Sequence, residues 1–183
     1  MAEFVAAFKY AEINEGGYCK VPGDRGGETY RGISRISHSD WDGWPLVDSF
    51  EPLEYNEVIN DPALESKVRV FYKKEFWDKM QGDKIDSQVF AAYFFDWLIN
   101  SSSKAVEKLH EVLGMGDLAL KFPFDQVGVD RINEFGDKLL LSIHERRLKF
   151  YNDHVAVVPA DAKFLKGWLA RANNLYNVLS NHI

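Results

Sequence analysis

The amino-acid sequence predicts a mainly α protein with a small β-hairpin or loop region around residues 18–33. Three observations predict this class: apolar residues recur at helical spacing in several segments, one thirteen-residue segment is apolar on nearly every side, and the strand signal is weak throughout. With 183 residues, 46% of them hydrophobic, the chain is long enough to bury a core without disulfides or structural metal ions.

The first predicted helix covers the N-terminal segment. Phe4, Phe8 and Glu15 lie four and then seven residues apart, which places them on one face of a helix. The pair Gly16-Gly17 is expected to end it. Glu15 thus closes an apolar stripe at a helix C-terminus, where burial and the helix dipole both raise the pKa of a carboxyl group. A raised pKa is what a general acid requires.

A glycine-rich segment follows, since six of the 13 glycines fall between residues 16 and 32. This density predicts a tightly turned backbone. Asp24 lies in this polar segment, nine residues after Glu15, and is expected to stay ionised and to fold back toward it. Two carboxyl groups in opposed environments that flank a cleft form the apparatus of glycoside hydrolysis. Thr29, the only threonine in the chain, is a third candidate for this site.

The middle of the chain predicts a loop and two helices. The loop covers residues 34–60, and the next helix starts with Asp61 as N-cap and Pro62 at its first position. It is expected to run to about Met80. Residues 87–99 are apolar nearly all round, which is typical of a helix buried at the centre of a domain.

The remaining elements are helices as well. A run of three serines at 101–103 is expected to cap a new helix. A short helix near residues 130–135 and two longer ones at about 138–153 and 161–180 follow. The last has a wide apolar face.

Four further side chains are candidates for substrate contact. Trp41 and Trp44, in the loop after the glycine-rich segment, either stack on sugar rings or form a hydrophobic plug under the loop. Asp96 and Asn100 lie four residues apart on one face of the buried helix. They either satisfy polar backbone beneath the site or bind substrate.

Composition excludes several other classes. The formal net charge of −6 argues against a general nucleic-acid binder, although residues 138–183 carry 7 basic against 3 acidic residues. The longest apolar run, Val89 to Phe95, is too short for a membrane span. The five histidines form no metal-ligand pattern, and His110 and His144 are predicted to lie on helix surfaces. The glycine-rich segment lacks a phosphate-loop motif. We therefore expect no metal and no cofactor.

The motif at the predicted site resembles that of a known family. Glu-Gly-Gly-Tyr at residues 15–18, followed by Asp-x-Gly-Gly-x-Thr-x-x-Gly-Ile at residues 24–33, resembles the signature of glycoside hydrolase family 108. That family comprises N-acetylmuramidases, including phage endolysins and bacterial secretion-activator proteins. Phe95-Asp96-Trp97 with Asn100, residues 145–151 and Gly167-Trp168-Leu169 resemble its C-terminal peptidoglycan-binding region.

This resemblance implies roles for the candidate residues and a lysozyme-like fold. Glu15 is then the catalytic acid, and Asp24 and Thr29 belong to the site. Tyr18 and Tyr30, which lie within the same segment, are further candidates for substrate contact. The chain is expected to divide into a catalytic region, 1–99, and a helical region, 100–183, packed as one compact unit.

The predicted activity is hydrolysis of the β-1,4 bond between N-acetylmuramic acid and N-acetylglucosamine in peptidoglycan glycan strands. Three alternatives remain open: a lytic transglycosylase, a non-catalytic wall-binding or secretion-associated protein, and a small-molecule or nucleotide binder that uses the glycine-rich segment. No signal peptide is recognised at Met1. We expect the protein to be made in the cytoplasm and to reach the cell wall by a phage-type or unrecognised export route.

Overall fold

The computed structural model describes residues 1–20, 27–115 and 122–183. The mainly α prediction is confirmed, because most described residues lie in helices and the β-structure is one small sheet. The helices are α1 Phe4–Glu12, α2 Trp44–Ser49, α3 Pro62–Tyr72, α4 Gln88–Leu113, α5 Gln126–Phe135, α6 Leu139–Val157 and α7 Ala162–Ser180.

The sheet consists of three two-residue antiparallel strands, β1 Tyr18–Cys19, β2 Thr29–Tyr30 and β3 Ile33–Ser34, in that order. Tyr18 lies opposite Tyr30, and Tyr30 opposite Ile33. The two residues of the β2–β3 turn, Arg31 and Gly32, have φ angles of +49° and +75°. Two successive left-handed residues are typical of the tight hairpin turn whose twist matches that of its strands.

Helix α3 begins as the sequence predicts. The side chain of Asp61 accepts a hydrogen bond from the amide N–H of Leu64 at 2.8 Å, and Pro62 occupies the first helical position. The α-helical hydrogen bonding ends at Tyr72, and a π-helical turn continues to Trp77. Helix α2 falls in the segment predicted to be a loop; its Pro45 stands in the first turn, where the missing N–H costs no hydrogen bond.

Helix α4 contains both the buried helix and the serine-capped helix of the sequence prediction. Residues 89–98 are all buried. Ser102 has non-helical angles, φ +39° and ψ −113°, so α4 is kinked within the predicted serine run.

The chain divides into two compact units. One comprises residues 1–10 and 76–183, and the other residues 11–75. In the first unit, Phe90 and Phe94 stack with ring centroids 5.6 Å apart, and Trp77 meets Phe95 edge-on at 5.6 Å. The boundary expected between residues 99 and 100 falls within α4, and the expected catalytic and helical regions stay a prediction. None of the described helices combines the length and the apolar character that crossing a membrane requires.

Candidate active site

Glu15 lies in a hydrogen-bonded turn directly after α1. The amide N–H of Asn14 donates to the carbonyl of Ala11 at 3.0 Å, and that of Glu15 to the carbonyl of Glu12 at 3.3 Å. The predicted helix included Glu15, whereas α1 ends at Glu12. The side chain of Glu15 is half-buried.

The carboxylate of Glu15 packs against the backbone of Gly32 in the β2–β3 turn. A methyl group on Gly32 would overlap Oε2 of Glu15 and would lie 2.8 Å from the hydroxyl oxygen of Tyr72. The φ of +75° is also unfavourable for any residue with a side chain. Glycine therefore meets two requirements here, the backbone conformation and the space that the Glu15 carboxylate occupies.

The glycine pair after Glu15 permits a close approach of two backbone segments. A methyl group on Gly17 would overlap the carbonyl oxygen of Glu57, and the Gly17 N–H donates to Oδ1 of Asn56 at 2.9 Å. The N–H of Tyr18 then donates to the Glu57 carbonyl at 2.8 Å. The segment that follows Glu15 is thus fixed to residues 56–57.

Arg31 ties the hairpin turn to the segment around Glu15 and to α3. Its Nη2 lies 3.0 Å from a carboxylate oxygen of Glu65 and 3.7 Å from one of Glu12, and its Nη1 donates to the main-chain oxygen of Glu15 at 3.5 Å. Its own carbonyl accepts a hydrogen bond from the Tyr72 hydroxyl at 2.6 Å. Burial alone would lower the pKa of Arg31, but the bond to Glu65 and the surrounding negative charges outweigh it and raise that pKa.

The other two residues of the predicted catalytic set have different outcomes. Thr29 lies in β2, half-buried, opposite Cys19 on one side and Ser34 on the other. Asp24 lies outside the described residues. The joint action of Glu15, Asp24 and Thr29 stays a prediction.

Tyr18 is buried with its hydroxyl among acidic side chains. It donates to Glu28 at 3.1 Å and approaches Glu51 at 3.4 Å. Burial, and then the hydrogen bond to Glu28, raises the pKa of Tyr18 to about 12. The hydroxyl therefore stays protonated at neutral pH, and its predicted contact with substrate stays untested.

Three carboxylates near Tyr18 are close enough to share a cation. Oxygen atoms of Glu28, Asp48 and Glu51 lie within 4.8 Å of one another. Arg35 already pairs with Glu28 and Asp48, and Lys20 lies 3.8 Å from Glu28 and 3.9 Å from Glu51. The positive charges of Arg35 and Lys20 thus neutralise the carboxylates that a metal ion would otherwise neutralise.

Tyr30 and Trp44 are core residues in the structure. Tyr30 is fully buried, and its hydroxyl accepts from the amide N–H of Ile59 at 3.2 Å. Trp44 is 2% exposed, and its Nε1 donates to the carbonyl of His38 at 2.7 Å. These positions give both rings a packing role, which is the hydrophobic-plug alternative in the case of Trp44. Their predicted substrate contact remains without support.

Trp41 combines a packing role with a place in the wall of a cavity. Its ring meets Trp44 edge-on at 5.1 Å, and its buried Nε1 has no acceptor among the described residues. The cavity has a volume of about 300 Å³ and is open to solvent. His38 and Phe71 form further parts of the wall, with Asp40, Asp42, Lys67 and Lys74 among the charged residues. Aromatic rings beside charged side chains suit a polar ligand that contains a ring, because that ring can stack on the aromatic wall.

Asp96 is fully buried and forms ion pairs with two arginines. Oδ2 accepts from Arg147 at 2.8 Å, and Oδ1 accepts from Arg171 at 2.8 Å. The Arg147 guanidinium, also fully buried, lies 5.3 Å from the ring centre of Tyr93. Both oxygens of Asp96 are thus occupied by protein groups, so its position favours a structural role; its predicted role in substrate binding stays untested.

The buried polar network extends to His144, which corrects a sequence prediction. His144 was expected on a helix surface, but it is 6% exposed: Nδ1 lies 2.8 Å from the hydroxyl of Tyr93, and its ring stacks on Tyr176 at 4.1 Å. Burial, and then the charge of Arg147, lowers the pKa of His144 to about 4. The imidazole is therefore neutral at physiological pH.

Asn100 lines a second, partly open cavity of about 190 Å³. Its Oδ1 accepts hydrogen bonds from the hydroxyls of Tyr151 at 2.6 Å and Ser101 at 3.0 Å. Among the described residues, no acceptor takes its two N–H donors. Half-buried rings of Phe150 and Trp168 form apolar walls. An aromatic face beside an amide donor fits a sugar ring with a hydrogen-bond acceptor.

Glu15 was a candidate from the sequence, whereas the residues that surround it in the structure were not predicted. In the sequence, nothing distinguishes Arg31 except its position next to Gly32. Tyr72 is indistinguishable from the other residues on the apolar face of α3. The missed signal was the pair Arg31-Gly32 between two strand-forming segments, which predicts a tight turn. Which residues that turn would meet depends on long-range contacts.

Comparison with known proteins gives the same assignment for the first half of the chain. The profile of the family described as Glycosyl hydrolase 108 matches residues 8–102. A solved structure of SagA from Brucella abortus superposes with a TM-score of 0.69 at 23% sequence identity, covering 97% of this chain and 94% of that chain. At this identity the similarity shows a shared fold. No curated protein matches significantly.

Proposed function

The chain belongs to glycosyl hydrolase family 108, and on this basis we propose that it is an N-acetylmuramidase. The bond that it cleaves is the β-1,4 linkage between N-acetylmuramic acid and N-acetylglucosamine in peptidoglycan. We also propose that it acts in the cell wall, where that substrate lies.

The observation that carries this proposal is the setting of Glu15. Its carboxylate lies in the part of the chain that the family profile matches, half-buried against the backbone of Gly32 and beside the hydroxyl of Tyr72. A carboxyl group held in a fixed position and partly removed from water suits a general acid. We assign protonation of the glycosidic oxygen to Glu15.

Asp24 and Thr29 complete the proposed chemistry. As C–O bond cleavage proceeds, positive charge develops on the sugar ring, and a second carboxylate either stabilises that charge or orients the attacking water. We assign this role to Asp24 and propose that Thr29 helps to hold the water molecule. The leaving sugar keeps the proton from Glu15. The water supplies the hydroxyl group of the new reducing end and gives its other proton to a carboxylate of the site, which restores the proton count of the enzyme.

The cavity at Asn100 is proposed as an additional site for the glycan strand. Its support is the combination of the half-buried rings of Phe150 and Trp168 in the cavity wall with the amide donors of Asn100, which have no acceptor among the described residues. Such a site would increase the time that the enzyme spends on an insoluble polymer without taking part in bond cleavage.

Digestion of purified peptidoglycan tests the proposed reaction. Wild type is expected to release muropeptides with reducing ends, and Glu15→Gln, which keeps shape but removes the acidic proton, to lose about 1,000-fold or more in rate while remaining folded. The matched control is Glu54→Gln, at an exposed position, which should keep full activity.

The products separate the alternatives. Anhydro ends in the mass spectrum would identify a lytic transglycosylase. Binding of wild type to peptidoglycan without soluble products would identify a wall-binding protein. A folded Glu15→Gln with full lytic activity would refute the assignment of the acid.

A further inference from the structure

Arg31 contacts the segment around Glu15 through both its backbone and its side chain. Its main-chain N–H donates to the carbonyl of Gly17 at 3.3 Å, and its Nη1 donates to the main-chain oxygen of Glu15 at 3.5 Å. The same guanidinium lies 3.7 Å from Glu12. Backbone and side chain of Arg31 thus contact the chain on both sides of the Glu15 carboxyl group.

The opposite side of Arg31 is anchored on α3. Nη2 donates to Glu65 at 3.0 Å, and the Arg31 carbonyl accepts from Tyr72 at 2.6 Å. The side chain of Arg31 is 15% exposed and that of Glu65 is 22% exposed, so the pair is shielded more than a typical surface pair. A guanidinium has several donors in one plane, so it can bind Glu65 and the segment at Glu12 and Glu15 together.

The backbone of Arg31 adopts a conformation that its residue type disfavours. Its φ of +49° lies in the left-handed region, which is unfavourable for most residues with a side chain and is better tolerated by asparagine or glycine. Such a conformation persists only where surrounding contacts fix it. The next residue, Gly32, lies against the Glu15 carboxylate.

We propose that Arg31 is the positioning residue for Glu15: its guanidinium, fixed by Glu65, holds the turn after α1 so that the Glu15 carboxyl group stays against Gly32. This inference rests on the proposed function, because it concerns how the general acid is held. Arg31 itself does not contact the reacting atoms in this scheme. Loss of the guanidinium would loosen the acid and lower the rate of the chemical step more than the affinity for substrate.

Two substitutions at position 31 separate positioning from folding. Arg31→Asn removes the guanidinium and introduces a residue that tolerates the left-handed backbone conformation. Arg31→Lys keeps the positive charge but lacks the planar group with several N–H donors. The matched control is Arg131→Asn, because Arg131 also pairs with a glutamate, Glu134, and donates to the main-chain carbonyl of Leu113 at 3.1 Å. Soluble glycan-strand fragments allow kcat and KM to be measured separately.

We expect Arg31→Asn to lower kcat by about 10- to 100-fold, with KM within about threefold of wild type. Arg31→Lys should recover part of the loss, and Arg131→Asn should behave as wild type. A wild-type kcat in Arg31→Asn would overturn the proposal. So would a loss of rate that merely follows the unfolded fraction measured by circular dichroism.

An NMR measurement tests the same proposal without any activity. In protein labelled with ¹³C at glutamate carboxyl carbons, the Glu15 signal, assigned through its loss in Glu15→Gln, is expected to shift in Arg31→Asn and not in Arg131→Asn. An unchanged Glu15 signal would refute the positioning role. If wild type fails to cleave peptidoglycan, the proposed function fails, whereas the Glu15 signal still decides the role of Arg31.

Discussion

Glu15 and Asp96 are carboxylates in opposite surroundings, one in each compact unit. Glu15 is half-buried beside a glycine backbone and a tyrosine hydroxyl, whereas Asp96 is fully buried and paired with Arg147 and Arg171. The first arrangement keeps a carboxyl group near the surface, and the second encloses it. The enclosed pair of Asp96 is typical of a structural ion pair, whereas the partly exposed carboxylate of Glu15 fits the general acid proposed above.

The largest expected effect is on the stability of the unit that contains Asp96. Asp96→Asn leaves Arg147 buried without a counter-charge, so we expect the free energy of unfolding to fall by about 3–5 kcal/mol. Asp153→Asn, which removes a solvent-exposed partner of Lys149, is the control and should leave the urea midpoint nearly unchanged. Urea unfolding followed by circular dichroism measures both. Equal midpoints for the two variants would contradict a structural role for Asp96.

The same unit should lose stability in acid because of His144. Its pKa is about 4 in the folded state and 6.5 in the unfolded state, so the unfolded state binds more protons between these values. Unfolding free energy should therefore decrease as the pH falls from 6.5 to 4, by about 3 kcal/mol from this residue. His144→Gln should remove that part of the pH dependence in urea unfolding series. An unchanged slope in His144→Gln would show that other groups cause the effect.

Around Glu15 the expected effect is on activity. Gly32→Ala places a methyl group where the Glu15 carboxylate lies, so we expect about a 100-fold loss of rate on peptidoglycan. Gly114→Ala has a matching backbone strain, with φ +62° against +75°, but its methyl group would meet no described atom within 4 Å. Comparable loss of activity in both variants would attribute the effect to strain rather than to displacement of Glu15.

The smallest effect is expected at the cavity near Asn100. Trp168→Ala removes one aromatic wall, and we expect binding to insoluble peptidoglycan to weaken about 10-fold while kcat on soluble fragments stays the same. Phe135→Ala, at a half-buried ring of α5, serves as the control. Co-sedimentation with cell walls measures the binding. Unaltered binding of Trp168→Ala would remove this cavity from the proposed function.

Much of the fold could be predicted because its signals are local. The cap of α3 by Asp61 and the break at the serine run both depend on residues a few positions apart. Helix α2 was missed because a six-residue helix is too short to show periodicity. The end of α1 was placed three residues too late, since the sequence pattern does not distinguish a final helical turn from a hydrogen-bonded turn after it.

The sequence by itself determined the helical class, the family motif and the identity of the candidate acid, because these depend on spacing and residue type. Only the tertiary structure decided what surrounds each carboxylate. Arg147 and Arg171 stand 51 and 75 positions from Asp96, and Tyr72 stands 41 positions from the Arg31 carbonyl that it binds. Whether a polar side chain is buried, paired or near the surface depends on such distant partners, and no local pattern in the chain encodes them.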